Sequence, residues 1–144
     1  MAIFGIQAPA YKLSGTTYNL DYAILSPNFI QGDFIEHKSV ITGDRYYILN
    51  GNYAEFSILI NLYKYTSPTP KNKYIELASL YNSGLGVEFF PHRDAPSIKN
   101  SSDTVVLFQL TELTQTYLDN YLFRDTLKLT FKALKYIDIT KNLL

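Results

Sequence analysis

Catalysis needs an acid, a base or a nucleophile brought together, so the reactive residue types are read first. The 144-residue chain holds two histidines, His37 and His92, and no cysteine. Neither histidine has a further His, Cys or carboxylate beside it at the spacing a zinc site uses, so no metal or cofactor is expected. Without cysteine, disulfide frameworks and thiol catalysis fall away together. "PHRD" (91–94) carries the letters of a kinase catalytic loop. The Gly-rich loop, the paired strand lysine and a metal-binding "DFG" are all missing, so the match is coincidental. It reads instead as a loop whose Arg93 and Asp94 pair locally or across a subunit boundary. "SGLGVEFF" offers Gly-x-Gly, but before a strand and not at the opening of a helix, so it is no phosphate cradle. Asp33, Glu36, Glu55 and Glu88 are numerous enough for a glycosidase pair, yet solvated sheet faces explain them better. No coherent acid, base and nucleophile set emerges, and the expectation is a protein that is not an enzyme.

Charge and composition narrow the remaining classes. Thirteen basic residues balance thirteen acidic ones, and 47% of the chain is hydrophobic against 18% charged. That composition belongs to a globular chain with a sizeable core. A duplex-DNA reader would carry a basic excess, because neutralised phosphates supply much of its affinity. The first 63 residues lean acidic and residues 124–144 lean basic, a split that helps identical copies meet head to tail. "MAIFGIQAPAYKLSG" lacks the features of a secretory signal, and no apolar run approaches the ~18 residues of a membrane helix. No membrane partner is expected.

The elements follow from periodicity. "YNLDYAIL" (18–25) and "FIQGDFIEHKSVI" (29–41) read as strands, the second ended by "TGD". In "DRYYILNGNYAEFSILINLYKY" (44–65), Asn50-Gly51 is a type I′ hairpin signal. Beyond it Ala54, Phe56, Ile58, Ile60 and Leu62 alternate with more polar neighbours, the mark of a half-buried antiparallel strand. Pro68 and Pro70 mark a loop. Tyr74, Leu77, Ala78 and Tyr81 then share one stripe of a short helix over about 73–82, ended at Gly84 or Gly86. "VEFF" is a short strand, 91–103 a polar loop and "TVVLFQL" a buried strand. Residues 111–125 fit either a bent connection or a strand. "TLKLTFKALKYIDI" turns Leu127, Leu129, Phe131 and Ala133 inward and Lys128, Thr130 and Lys132 outward. The order predicts a mainly β, α+β domain over 18–144, an antiparallel β-barrel or sandwich with one short flanking helix. Residues 1–17 are expected as an extended N-terminal arm. Its core is expected from Phe56, Ile58, Ile60, Leu62, Leu77, Leu127, Leu129 and Phe131, with Tyr74 and Tyr81 of the helix touching it.

Thirteen tyrosines and no tryptophan point to surfaces that are apolar yet wet. Two uses compete. Tyr46, Tyr47, Tyr63 and Tyr65 could stack on sugar rings in a small carbohydrate-binding β-sandwich. Tyr46, Tyr47 and Tyr53, with Arg93 and Asp94, could instead serve an interface between subunits.

The run "ITGDRYYILNGNYAEFSILINLYKY", a short helix, "GVEFFPHRD" and the closing "FRDTLKLTFKALKYIDI" resemble, over about residues 30–139, subunits of long-tailed bacteriophage tails. The resemblance is to the tail-tube, distal-tail and baseplate-hub group, and lies in element order and strand style. It implies a β-barrel or sandwich with a flanking helix and a structural virion protein of the tail. It also implies a six-fold ring, a homohexamer, around a channel that double-stranded DNA crosses in transit. Other tail proteins would stack above and below, with assembly in the host cytoplasm. Distal-tail proteins commonly add a carbohydrate-binding-like domain after this unit. This chain ends soon after its last strand, which favours a plain tube or adaptor ring.

Overall fold

The computed structural model describes residues 7–25, 29–115 and 126–140. Eight strands form one antiparallel sheet, β1 (Ala10–Leu13), β2 (Thr16–Asn19), β3 (Ala23–Leu25), β4 (Phe29–Lys38), β5 (Arg45–Asn61), β6 (Gly86–Phe90), β7 (Phe108–Gln115) and β8 (Thr126–Ala133). Their order is β2-β1-β6-β7-β8-β5-β3, with β4 also paired to β5 beyond β3. The sheet is not closed into a barrel, so the fold is α+β and sandwich-like. Its curvature is nonetheless strong. Flat, β1 and β8 would stand about 14 Å apart at ~4.8 Å per strand, yet the rings of Tyr11 and Phe131 are 6.1 Å apart.

The concave side holds the core. Phe89 stacks on Phe131 at 4.6 Å and meets Phe108 at 5.6 Å and Phe56 at 5.3 Å. Phe56, Ile58, Ile60, Leu62, Leu77, Leu127, Leu129 and Phe131 are all buried. The alternation in β5 is why: β8 pairs with it residue for residue, Ile58 opposite Leu129 and Ile60 opposite Leu127. Period-two spacing on both strands sends the whole apolar set to one face.

A helix, α1 (Pro70–Ser83), covers part of this core. The Thr69 hydroxyl accepts the Asn72 N–H, Pro70 fills the first helical position, and Gly84 takes the left-handed conformation at φ 65°. The helix therefore starts three residues before the expected 73, because a proline at that position needs no N–H partner. Its buried stripe is Lys73, Leu77 and Leu80, while Tyr81 is 42% exposed. The expected contact of Tyr81 with the core is thus replaced by Lys73 and Leu80. The Lys73 ammonium donates to the Asn19 carbonyl at 2.7 Å, pairs with Glu76 and sits 5.6 Å over the Tyr65 ring. A long aliphatic stem with a satisfied charge is what allows a lysine in that stripe.

Three further expectations change. Within the arm expected over 1–17, residues 10–17 are not extended alone: β1 and β2 form a hairpin, and β1 pairs with β6 through Ala10–Phe90, Tyr11–Phe89 and Lys12–Glu88. Tyr11 is 1% exposed, so this segment belongs to the core. The two positive φ angles of a tight hairpin occur here, at Ser14 (51°) and Gly15 (83°). Asn50-Gly51 is not a turn at all. It lies inside the 17-residue β5, where the register shifts from Asp33–Gly51 to Phe34–Leu49 and leaves Asn50 as a bulge. The strand expected over 104–110 begins at Phe108 and runs on to Gln115; residues 116–125 lie outside the described residues.

Candidate assembly surface

β4 and β5 run together far past the rest of the sheet. β8 pairs with β5 only from Glu55 to Asn61. From Gly51 outward, β4 and β5 form a two-stranded ribbon reaching roughly 20–25 Å from the body at ~3.3 Å per residue. Its turn is Ser39–Asp44. Gly43 adopts φ 76°, its N–H donates to the Ser39 carbonyl, and the Ser39 N–H donates to the Asp44 carbonyl at 2.7 Å.

The register fixes the two ribbon faces. Phe34 lies opposite Leu49, Glu36 opposite Tyr47 and Lys38 opposite Arg45 on one; Ile35 opposite Ile48 and His37 opposite Tyr46 share the other. Glu36 and Arg45 pair across the first face at 3.4 Å. His37 and Tyr46 stack on the second, with ring centres 5.2 Å apart. Phe34, Ile35, Val40, Ile41, Tyr46, Tyr47, Ile48 and Leu49 are each 46–101% exposed. At ~150–250 Å² per large side chain they present roughly 1,000 Å², divided between the two opposite faces and the tip. A monomer's largest apolar patch is usually ~300–600 Å², and a standard interface buries ~800 Å² per partner. A lone two-stranded ribbon is also marginal in water.

The ribbon's root is locked from outside. Tyr136 lies flat against Gly51, where a Cβ would stand 2.3 Å from its ring. Its hydroxyl donates to Asp33 at 2.6 Å, which pushes the phenol pKa well above its usual range. Tyr53 packs on the same ring at 4.6 Å. The Ile137 N–H donates to the Asn52 carbonyl and ties the C-terminal segment to the root.

The convex face of β5, β7 and β8 is polar and internally paired. Lys128 reaches Glu112 at 3.6 Å, Lys132 reaches Glu55 at 3.9 Å, and Ser57 meets Thr130 at 3.4 Å. Thr130 lies on this outward face yet is buried, since its hydroxyl also donates to Glu112. Such exposed pairs add little stability, about 0–1 kcal/mol each. They do cancel charge over a broad wet surface.

The other singled-out residues serve the fold. In "PHRD", Arg93 donates to the Ala8 carbonyl and pairs with Asp21 at 2.6 Å; Asp94 accepts the Gln7 N–H at 3.1 Å. His92 Nδ1 lies 2.9 Å from the Gln7 carbonyl. The loop thus grips the start of the described chain within one subunit. Glu88 accepts from Ser97. Of the four tyrosines weighed for sugar stacking, Tyr65 is buried and donates to the Asp21 carbonyl at 2.6 Å. Tyr46 and Tyr47 point to opposite ribbon faces. The three interface candidates of the ribbon strand, Tyr46, Tyr47 and Tyr53, are 56%, 60% and 44% exposed. Sequence reading passed over Val40 and Ile41; two aliphatic residues just before the "TGD" turn signal were the available clue.

This is an α+β protein with one curved antiparallel sheet and a projecting ribbon. No family model matches it, and no curated protein does either. Its fold is similar to a chain in a solved structure described as "Tail of empty GTA particle computed with helical refinement, C6 symmetry". The match has a TM-score of 0.55 at 15% identity and covers 92% of this chain and 93% of that one.

Proposed function

We propose that this chain is a structural subunit of a phage-like tail, and that copies assemble into a six-fold ring through the β4–β5 ribbon. The carrying observation is the ribbon itself, with roughly 1,000 Å² of apolar side chain over its two faces and tip and no cover among the described residues. The fold shared with a chain from a tail of C6 symmetry supports the same reading. So does the convex face of β5, β7 and β8, whose paired charges suit the wall of a water-filled channel. A wall of zero net charge lets double-stranded DNA pass without holding it, since no excess of cations replaces its counterions. The ring would sit in the virion tail as tube, distal tail or baseplate adaptor, stacked on other tail proteins and assembled in the host cytoplasm, with no catalytic role.

Native mass spectrometry and negative-stain imaging of the concentrated protein test this, alongside co-expression with the neighbouring tail genes. Rings or short tubes are the expected result. A monomer that persists in both settings and binds a glycan array would overturn the reading.

A further inference from the structure

The ribbon ends in an anomaly. Hairpin tips favour Gly, Asn, Asp and Ser, which meet turn geometry and water together. Here Val40 and Ile41 stand side by side at the tip, 101% and 95% exposed. A second anomaly lies at the far edge of the sheet. Between α1 and the β1–β2 hairpin is an open cleft of about 280 Å³ walled by Leu13, Tyr18, Leu80 and Leu85, with Tyr11 and Glu76 also lining it. That is slightly below the ~300–1,000 Å³ of small-molecule sites, and suits one or two aliphatic side chains. Leu85 is 52% exposed beside it.

We propose that Val40 and Ile41 of one copy plug into the α1/β1–β2 cleft of a neighbouring copy. The inference rests on the reading of the chain as an assembling subunit and adds which surface receives the ribbon. Topology supports a second copy as the occupant. The ribbon belongs to the β5 end of the sheet and the cleft to the β2-β1 end, at opposite ends of the strand order. A rotational ring requires two unlike, complementary patches on each subunit, whereas a two-fold dimer would use one patch twice. Summed over both faces and the tip, the ribbon's exposed apolar area is of the order a standard interface takes from each partner, ~800 Å².

The absence of cysteine makes the test clean. Ile41→Cys and Leu85→Cys single variants are mixed under mild oxidation and resolved on a non-reducing gel. Docking predicts the 41–85 mixed disulfide in about tenfold excess over both homodimers. The Ile41→Cys/Leu85→Cys double variant should give a ladder up to the full ring. Ile41→Asp and Leu85→Asp, both at exposed positions, should each keep the melt of the dilute, unassembled wild-type chain and lose assembly. Rings that form while the disulfides stay statistical, or while Leu85→Asp assembles normally, would overturn the cleft and leave the ring reading standing. Preferential linkage of Ile41→Cys to a different tail protein would do the same. A wild-type chain that never associates would sink both.

Discussion

Gly51→Ala, a change of one methyl group, tests how the ribbon is held at its root. Gly51 lies in extended β5 with no positive φ, so alanine fits the backbone there. By stiffening the unfolded chain it would alone stabilise by about 0.4–1 kcal/mol. The obstacle is Tyr136, whose Cγ would lie 2.3 Å and both Cδ atoms 2.6 Å from the new Cβ. Ordinary contact begins near 3.5 Å, so the ring must shift by about 1 Å. That shift breaks its 2.6 Å hydrogen bond to Asp33 and its packing on Tyr53. Overpacking of this kind costs about 1–3 kcal/mol. The net expectation for Gly51→Ala is a loss of about 1–2 kcal/mol, or roughly 3–8 °C in Tm. In a Tyr136→Ala background the obstacle is gone, and the same substitution should become neutral or stabilising. Urea melts followed by far-UV circular dichroism, with an unchanged m-value, measure both legs of this cycle. Equal losses in the two backgrounds would show that Tyr136 does not cover Gly51, and the account of the root would fail.

Three other outcomes are expected. Lys73→Ala should cost about 2–3 kcal/mol, because it removes the partner of the Asn19 carbonyl and of the partly exposed Glu76 carboxylate together with the buried stem; a urea midpoint within error of wild type would contradict this. Ile58→Asp should prevent folding, since an unpaired charge opposite Leu129 at a fully buried site costs several kcal/mol; a soluble variant with a normal melt would refute the face assignment. Tyr11 and Tyr65 have phenol pKa values raised far above normal, chiefly by burial and then by the charges of Glu76 and Asp21 respectively. Their stabilisation is complete below the unfolded value of about 10 and is lost as pH rises toward the higher folded values, by up to ~1.4 kcal/mol per pH unit for each. Melts between pH 9 and 12 should fall less steeply for Tyr65→Phe than for wild type, though that variant starts lower by about 1 kcal/mol for its lost hydrogen bond; parallel pH profiles would refute the assignment.

The strand 54–61 was legible because its period depends on local spacing alone. Ala54, Phe56, Ile58 and Ile60 alternate, and any partner strand that buries one of them buries all; Leu62, in the 3-10 turn that follows, is buried as well. The end of α1 was legible for a similar reason, since Gly84 supplies the left-handed cap by itself. Its face was misjudged because the apolar stripe was drawn through Tyr81, whereas the buried one runs through Lys73, Leu77 and Leu80. Lys73 turns inward where the Asn19 carbonyl, Glu76 and the Tyr65 ring converge, and those partners come from distant segments. Asn50-Gly51 was misread for the complementary reason. Its turn propensity is real, but ten residues of β4 pair along β5 through it, and the glycine is used instead to admit Tyr136.

The ribbon was the least legible part, and the reason bears on function. Phe34, Ile35, Ile48 and Leu49 have the composition of core residues, and a sequence reader places core residues in a core. The fold places them on both faces of two strands that no other described residue covers. Local pattern specifies that these residues are to be buried; it carries no information on which molecule buries them. A chain that leaves such a ribbon bare at one end of its sheet and an apolar cleft at the other has an incomplete core as a monomer. On the proposed reading, the missing contacts would be of the heterologous kind that a ring of identical subunits supplies.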